Sequence, residues 1–166
     1  MNENKRVPNN KQIVDEANKI LESEDGIQTS IIIRSIEERN DPAIKIHHYQ
    51  GTNELVKHIK VLLTDLRSGK KKWSEYVVLT DSHNKQLYER LSDIELIKEL
   101  KPDNVRYEEE RLCLTTILSY KGLETKHVVL VLNNREEIDK FELYVGMTRA
   151  IYDLDILLLD KANSSN

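Results

Sequence analysis

The stretch Leu112-Cys113-Leu114-Thr115-Thr116-Ile117-Leu118-Ser119-Tyr120-Lys121-Gly122-Leu123-Glu124-Thr125-Lys126-His127-Val128-Val129-Leu130-Val131-Leu132-Asn133 decides the fold. It holds two short apolar runs, over 112–117 and 127–133, joined by a polar link. A short apolar run that does not alternate with polar residues is the pattern of a strand buried on both faces. Strands of that kind belong to parallel sheets covered by helices. The link Ser119–Glu124 follows the first strand, so it is expected at that strand's C-terminal end, where open α/β sheets bind ligands.

Working outward, Tyr76–Thr80 repeats the doubly buried pattern, Ala43–Tyr49 alternates as a strand should, and Leu154–Leu159 reads as a last strand. Helical spacing of Ile13, Val14, Ala17, Ile20 and Leu21 predicts a helix over 10–22, with Asn9 or Asn10 as its cap. Leu55, Val56, Ile59, Leu62, Leu63 and Leu66 give the apolar face of a second helix over 53–67, capped by Thr52. Further helices are expected over 84–91, 93–101 and 136–151, with Pro102 as a breaker. The β-branched run Ile31-Ile32-Ile33 within 29–37 reads as a strand or extended excursion, and Asn40-Asp41-Pro42 as a turn. Strands alternating with helices call for a mostly parallel sheet with helices on both faces. The expected organisation is one α/β domain over 10–161, an extended lead-in over 1–9 and a disordered tail over 162–166.

With 166 residues, the chain is long enough for one domain with a substantial core. A net charge of −4 argues against binding nucleic acid by bulk electrostatics and leaves room for a local basic groove. The single cysteine, Cys113, rules out an intrachain disulfide and fits a reducing, cytoplasmic setting. No secretory signal follows Met1, and no apolar run approaches the ~20 residues of a membrane span, so no membrane association is expected.

In the link, Gly122 permits a tight backbone, Lys121 offers a point charge, and Glu124 can accept hydrogen bonds from sugar hydroxyls. On chemistry alone an ordinary strand-to-loop turn accounts for the same residues. A second cluster, Leu143-Tyr144-Val145-Gly146-Met147-Thr148-Arg149-Ala150, falls in the helix expected over 136–151. Gly146 and Ala150 allow close helix packing there, and Thr148 orients the segment or packs. An arginine near the end of an amphipathic helix is by itself a surface residue. His47, His48, His58 and His83 have no metal-ligand spacing, so no metal site is expected. Lys70-Lys71-Lys72-Trp73 combines basic residues with an aromatic one, the composition of a nucleic-acid contact. A solvated loop with Trp73 tucked on the core is the commoner reading of such a stretch. Asp81 with Ser82 after a strand has no nameable catalytic partner, and the acidic run Glu108-Glu109-Glu110 reads as solvated.

Together, the two clusters resemble the last two motifs of superfamily 1 helicases of the UvrD/Rep type. The first family pattern is a strand, then Thr-x-His-x-x-Lys-Gly-Leu-Glu, then another strand. Thr116, Lys121, Gly122, Leu123 and Glu124 match in register, Ser119 is retained, and Leu118 stands where many members have His. The second pattern, Leu-Tyr-Val-Gly/Ala-x-Thr-Arg-Ala, is met by residues 143–150. Asn4-Lys5-Arg6 ahead of the first helix is similar to the family's Asn-Tyr-Arg-Ser, with Lys5 replacing the aromatic residue.

The resemblance implies a RecA-like, P-loop NTPase-type three-layer domain, the second of the two in such a motor. Arg149 corresponds to the arginine finger that stabilises charge on the γ-phosphate, and Arg6 to a second phosphate-contacting arginine. Glu124, with Lys121 and Gly122, corresponds to the nucleotide contact at the ribose. Thr116 and Ser119 correspond to contacts with the backbone of single-stranded DNA, or of RNA. The cofactor implied is ATP with Mg²⁺. No Gly-x-x-x-x-Gly-Lys-Ser/Thr loop occurs in the chain, so an N-terminal RecA-like domain acting in cis would supply the phosphate loop and hold the Mg²⁺. The chain alone is expected to be a monomer without ATPase activity. A non-motor interaction domain of the same fold, contacting RNA polymerase or a repair partner, is the alternative. A free-standing flavodoxin- or Rossmann-like nucleotide domain is the third, and the absence of Gly-x-Gly-x-x-Gly counts against it.

Overall fold

The computed structural model describes residues 11–24, 28–81, 89–91, 94, 97–99 (as backbone), 111–133 and 139–160. Arg6, the lead-in over 1–9, Asn9 and Asn10, Ser82, His83, the acidic run 108–110 and the tail over 162–166 lie outside these residues. In chain order come α1 (Lys11–Glu22), α2 (Thr29–Arg39), β1 (Ile44–Tyr49), α3 (Thr52–Arg67) and β2 (Tyr76–Thr80). These are followed by β3 (Ile97–Glu99), β4 (Leu112–Thr116), β5 (Thr125–Asn133), α4 (Lys140–Met147) and β6 (Ala150–Leu159).

The strands form a six-stranded sheet in the order β1-β6-β5-β2-β4-β3, and every neighbouring pair is parallel. β2 occupies an interior position with all five residues buried, as an unbroken apolar run requires. Its side chains alternate between two cores. Val77 and Leu79 point to one face with residues of α1, α2 and α4, whereas Tyr76 and Val78 point to the other with α3. The result is the three-layer α/β arrangement expected, with a helix layer on each side of a parallel sheet.

α2 departs from expectation. The run Ile31-Ile32-Ile33 forms a helix rather than a strand or extended excursion. Thr29, Ile32, Ile33 and Ile36 are the buried residues, so the burial period is helical. Tertiary burial along that stripe outweighs the modest intrinsic preference of isoleucine for strands, and Ile31 is left 51% exposed. The helix ends at Asn40, which adopts the left-handed conformation at φ 52°. In the turn after it, the Asp41 carboxylate accepts from the Ala43 amide at 2.9 Å.

Three boundaries also differ. Ile97–Glu99, within the helix expected over 93–101, is a strand paired with β4 at the sheet edge. Gly51 rather than Thr52 precedes α3, and Thr52 is its first residue. α4 stops at Met147, well short of residue 151, because Ala150 already pairs with Thr125 of β5. Its start is fixed by Asp139, whose carboxylate accepts from the Glu142 amide at 3.2 Å. Of the helix expected over 84–91, residues 89–91 are helical and 84–88 lie outside the described residues.

Candidate functional site

The link between β4 and β5 positions the first motif. Thr80 of β2 is level with Thr116, the last residue of β4, and with Val131 near the end of β5. Tyr76, the first residue of β2, is level with His127 near the start of β5. Because the three strands are parallel, residues 117–124 must run from the C-terminal edge of the sheet back to its N-terminal edge. The expectation that all of Ser119–Glu124 sits at the C-terminal end is therefore corrected. Thr116 and Ser119 stand at that end, and Glu124 immediately precedes the first residue of β5 at the opposite one.

Local chemistry explains this path. Ile117 extends β4 by donating its amide to the Thr80 carbonyl at 2.8 Å, and its side chain is fully buried. The Thr116 hydroxyl accepts from the Ser119 amide at 3.2 Å and donates to the Ser119 hydroxyl at 2.9 Å. These bonds tie the end of β4 to the 3₁₀ turn Leu118–Tyr120. Tyr120 is fully buried and anchors the link, its hydroxyl directed to the Glu124 carbonyl at 3.5 Å. Gly122 takes φ 88°, a conformation that favours glycine. Lys121 is exposed, with its ammonium 5.9 Å from the centre of the Phe141 ring.

Arg149 occupies the turn between α4 and β6 rather than the helix interior. Thr148 ends the helix, its hydroxyl donating to the carbonyls of Tyr144 and Val145 at 3.0 and 3.1 Å. The Arg149 guanidinium donates from Nε to the Val145 carbonyl, from Nη1 to the Leu123 carbonyl and from Nη2 to the Thr148 hydroxyl, each at 3.1 Å. Its own carbonyl accepts from the Thr125 amide at 3.0 Å. The two motifs, distant in sequence, are thus fastened across residues 123–125 at the N-terminal edge of the sheet. Arginine carries five N–H groups, so one on each terminal nitrogen remains beyond these three bonds. The side chain is partly exposed, and a phosphate oxygen fits such a pair of donors. Gly146 lets α4 approach the sheet closely, since a Cβ there would lie 3.0 Å from Leu130 Cδ1 and 3.2 Å from Ile117 Cδ1.

Arg149, Glu124, Gly122 and Lys121 are therefore gathered on the last part of the link and the adjoining turn, while Thr116 and Ser119 are separated from Glu124 and Arg149 by the height of the sheet. The backbone carbonyl of Leu123 and the buried Tyr120 were not singled out in the sequence. A carbonyl contact leaves no mark on residue identity, and Tyr120 reads as one more polar-capable residue in a turn.

The remaining clusters serve packing and pairing. Trp73 packs partly buried against the core on the α3 side. Lys71 pairs with Asp65 at 3.6 Å and lies 5.6 Å from the centre of the Tyr76 ring. Asp81 is buried directly after β2. Among the described residues no group of His, Cys, Asp or Glu could hold a metal ion, and no helix is long and apolar enough to cross a membrane. A cavity of about 240 Å³ between α1 and α2 has Glu16 and Arg39 in its wall and contains none of the motif residues. There the Arg39 guanidinium grips the buried Glu16 carboxylate with two bonds of 2.5 Å.

No protein-family model matches the chain, and no curated protein matches it. Among solved structures, it is similar to one described as the C-terminal domain of a possible DNA helicase from Lactobacillus plantarum WCFS1. The TM-score is 0.64 at 16% sequence identity, covering 95% of this chain and 89% of that one. The likeness is one of fold, and it extends over nearly the whole chain.

Proposed function

We propose that the chain is the second RecA-like domain of an ATP-dependent DNA helicase of the UvrD/Rep type. The observation that carries this reading is the joining of Arg149 to residues 123–125, which brings the ends of both helicase-like motifs to one edge of the sheet. The similarity of fold to a possible helicase's C-terminal domain supports it.

On this reading ATP lies between this edge and a first RecA-like domain that brings the phosphate loop and holds the Mg²⁺. Arg149 points the remaining donors of its guanidinium at the γ-phosphate, and Arg6 is the second arginine offered to it. Glu124 accepts from the ribose hydroxyls, with Gly122 and Lys121 shaping and charging that part of the site. A guanidinium held by three bonds is oriented before substrate arrives, so little ordering is left to occur during the reaction. Thr116 and Ser119, at the other edge, contact the backbone of single-stranded DNA, and RNA presents the same phosphates. Alternate closure and opening about ATP requires contacts to the γ-phosphate that differ between the two states. Arg149 is suited to supply them. The work is that of a cytoplasmic protein, in DNA repair or a related process.

One observation favours a second reading, a non-motor interaction domain. The same three bonds would give Arg149 a purely structural role, tying a turn to a crossover with no nucleotide involved. The two readings part on nucleotide dependence. In a protein carrying the phosphate-loop domain, Glu124→Ala is expected to weaken ATP binding by about 1.5–3 kcal/mol, the value of a hydrogen bond to a charged group. Titration with a fluorescent ATP analogue measures this, and unchanged affinity favours the interaction domain.

A further inference from the structure

β1 is an edge strand, paired on one side by β6, and it carries two adjacent histidines that face opposite helix layers. His48 meets α2 and the end of β6. Its Nδ1 lies 3.2 Å from Asp160 Oδ1, and its Nε2 lies 3.1 Å from Glu37 Oε1. Both partners are carboxylates, which accept and do not donate. A neutral imidazole has one N–H, so it can satisfy one of them while turning a lone pair toward the other. Only the imidazolium donates to both. Gln50 also reaches Asp160, at 3.4 Å.

The other face carries a second histidine in different surroundings. His47 lies 3.3 Å from Asp155 of β6, and its ring centre is 4.9 Å from that of His58 on α3. The Tyr49 hydroxyl and His58 Nδ1 share a hydrogen bond. A proton added to His58 would place a positive ring beside His47, with Lys71 as a further cation nearby and Asp155 as the opposing charge. Glu54 is a further charge near Tyr49.

We propose that His48 and His58 form a paired proton sensor on β1, in which the edge strand is fully fastened to α2, α3 and β6 only when His48 is charged and His58 is neutral. Burial works against the charge on His48, and the hydrogen bonds to Asp160 and Glu37 outweigh it, so this ring titrates above the usual histidine value of 6.5. Burial, aided by His47, lowers that of His58 below the same value. The signs follow from linkage. The contribution of His48 is complete below about pH 6.5 and is lost as pH rises through its folded-state value. For His58 the unfolded chain binds the proton more readily, so stability is lost as pH falls from about 6.5 through its lower folded-state value. The edge is therefore held most tightly near pH 6.5 and loosens on both sides. Glu37 lies on the same helix as Arg39, whose pair with Glu16 ties α2 to α1, so release at His48 reaches the helix layer.

The test is a histidine-ring NMR titration of this chain from pH 5 to 8.5, with amide hydrogen exchange of β1 measured against β2 as the internal standard. His48 is expected to titrate above and His58 below the ordinary value. Relative protection of β1 should peak near pH 6.5 and fall at least about twofold toward either end. Glu37→Gln should lower the titration of His48 and flatten the alkaline fall while leaving His58 unchanged. Ordinary titration of both rings in the wild-type chain overturns the proposal whether or not the variant folds. So does relative protection of β1 that stays flat across the range.

Discussion

Gly122 and Gly146 are both glycines of helicase-like motifs, yet the structure requires them for different reasons. At Gly122 there is open space where a Cβ would go, but φ is 88°. At Gly146 a Cβ would meet Leu130 Cδ1 at 3.0 Å. Gly122→Ala is therefore expected to cost about 1–2 kcal/mol through backbone strain. Gly146→Ala is expected to cost about 1–3 kcal/mol through overpacking between α4 and β5. Urea unfolding measures both, and an unchanged midpoint for Gly122→Ala would contradict the described turn. The residue types of the motif were legible in the sequence because side chains carry its chemistry. What binds them together was not, since Arg149 is held by the carbonyls of Leu123 and Val145, and any residue offers a carbonyl. His48 was hidden for a similar reason. Its partners Glu37 and Asp160 come from elements whose meeting depends on sheet order.

The strands decided by short unbroken apolar runs, β2, β4 and β5, fall close to where the sequence puts them. Burial on both faces leaves them little conformational choice. α2 differs from the expected strand or extended excursion because three consecutive isoleucines satisfy a strand and a helix until the buried partner is known. A pair of substitutions distinguishes the two. Ile33 is 2% exposed and Ile31 51% exposed, so Ile33→Ala should cost about 2–5 kcal/mol. Ile31→Ala should stay within about 0.5 kcal/mol, as at other surface sites. Equal losses at the two positions in a thermal or urea unfolding series would contradict the helix. The ends of α4 and β6 were misjudged for a related reason. Phe141 through Ile151 contains no proline to stop a helix, and the pairing of Ala150 with Thr125 ends it early.

At the scale of the whole molecule, the parallel sheet was legible from alternating patterns, and the two edges to which the motifs go were not. The link over 117–124 looks like a turn at one end of a strand. It is a crossover, because β2 lies between β4 and β5. On the proposed reading the site at the N-terminal edge is half of an interface, since the sequence has no phosphate loop. By itself the chain should therefore show no ATP turnover above background, with or without single-stranded DNA. It should bind single strands weakly, at about 10⁻⁴–10⁻⁶ M at physiological salt, with affinity falling as salt rises. Fluorescence anisotropy across a salt series checks this, and nanomolar, salt-insensitive binding would identify a dedicated nucleic-acid module instead.

The central claim is that Arg149 acts on the γ-phosphate of an ATP shared with a phosphate-loop domain. It is tested most directly by steady-state ATPase kinetics on Arg149→Ala and Arg149→Lys in a protein that carries both domains. Circular dichroism and single-strand binding serve as controls for folding. The account predicts that turnover falls by about 10³–10⁵ in the alanine variant, the range for an arginine finger. Lysine should not restore it, because a single ammonium cannot reproduce the fork of donors that spans both carbonyls and phosphate. A folded Arg149→Ala protein that turns over ATP at the wild-type rate would contradict the account and leave Arg149 as a structural clasp.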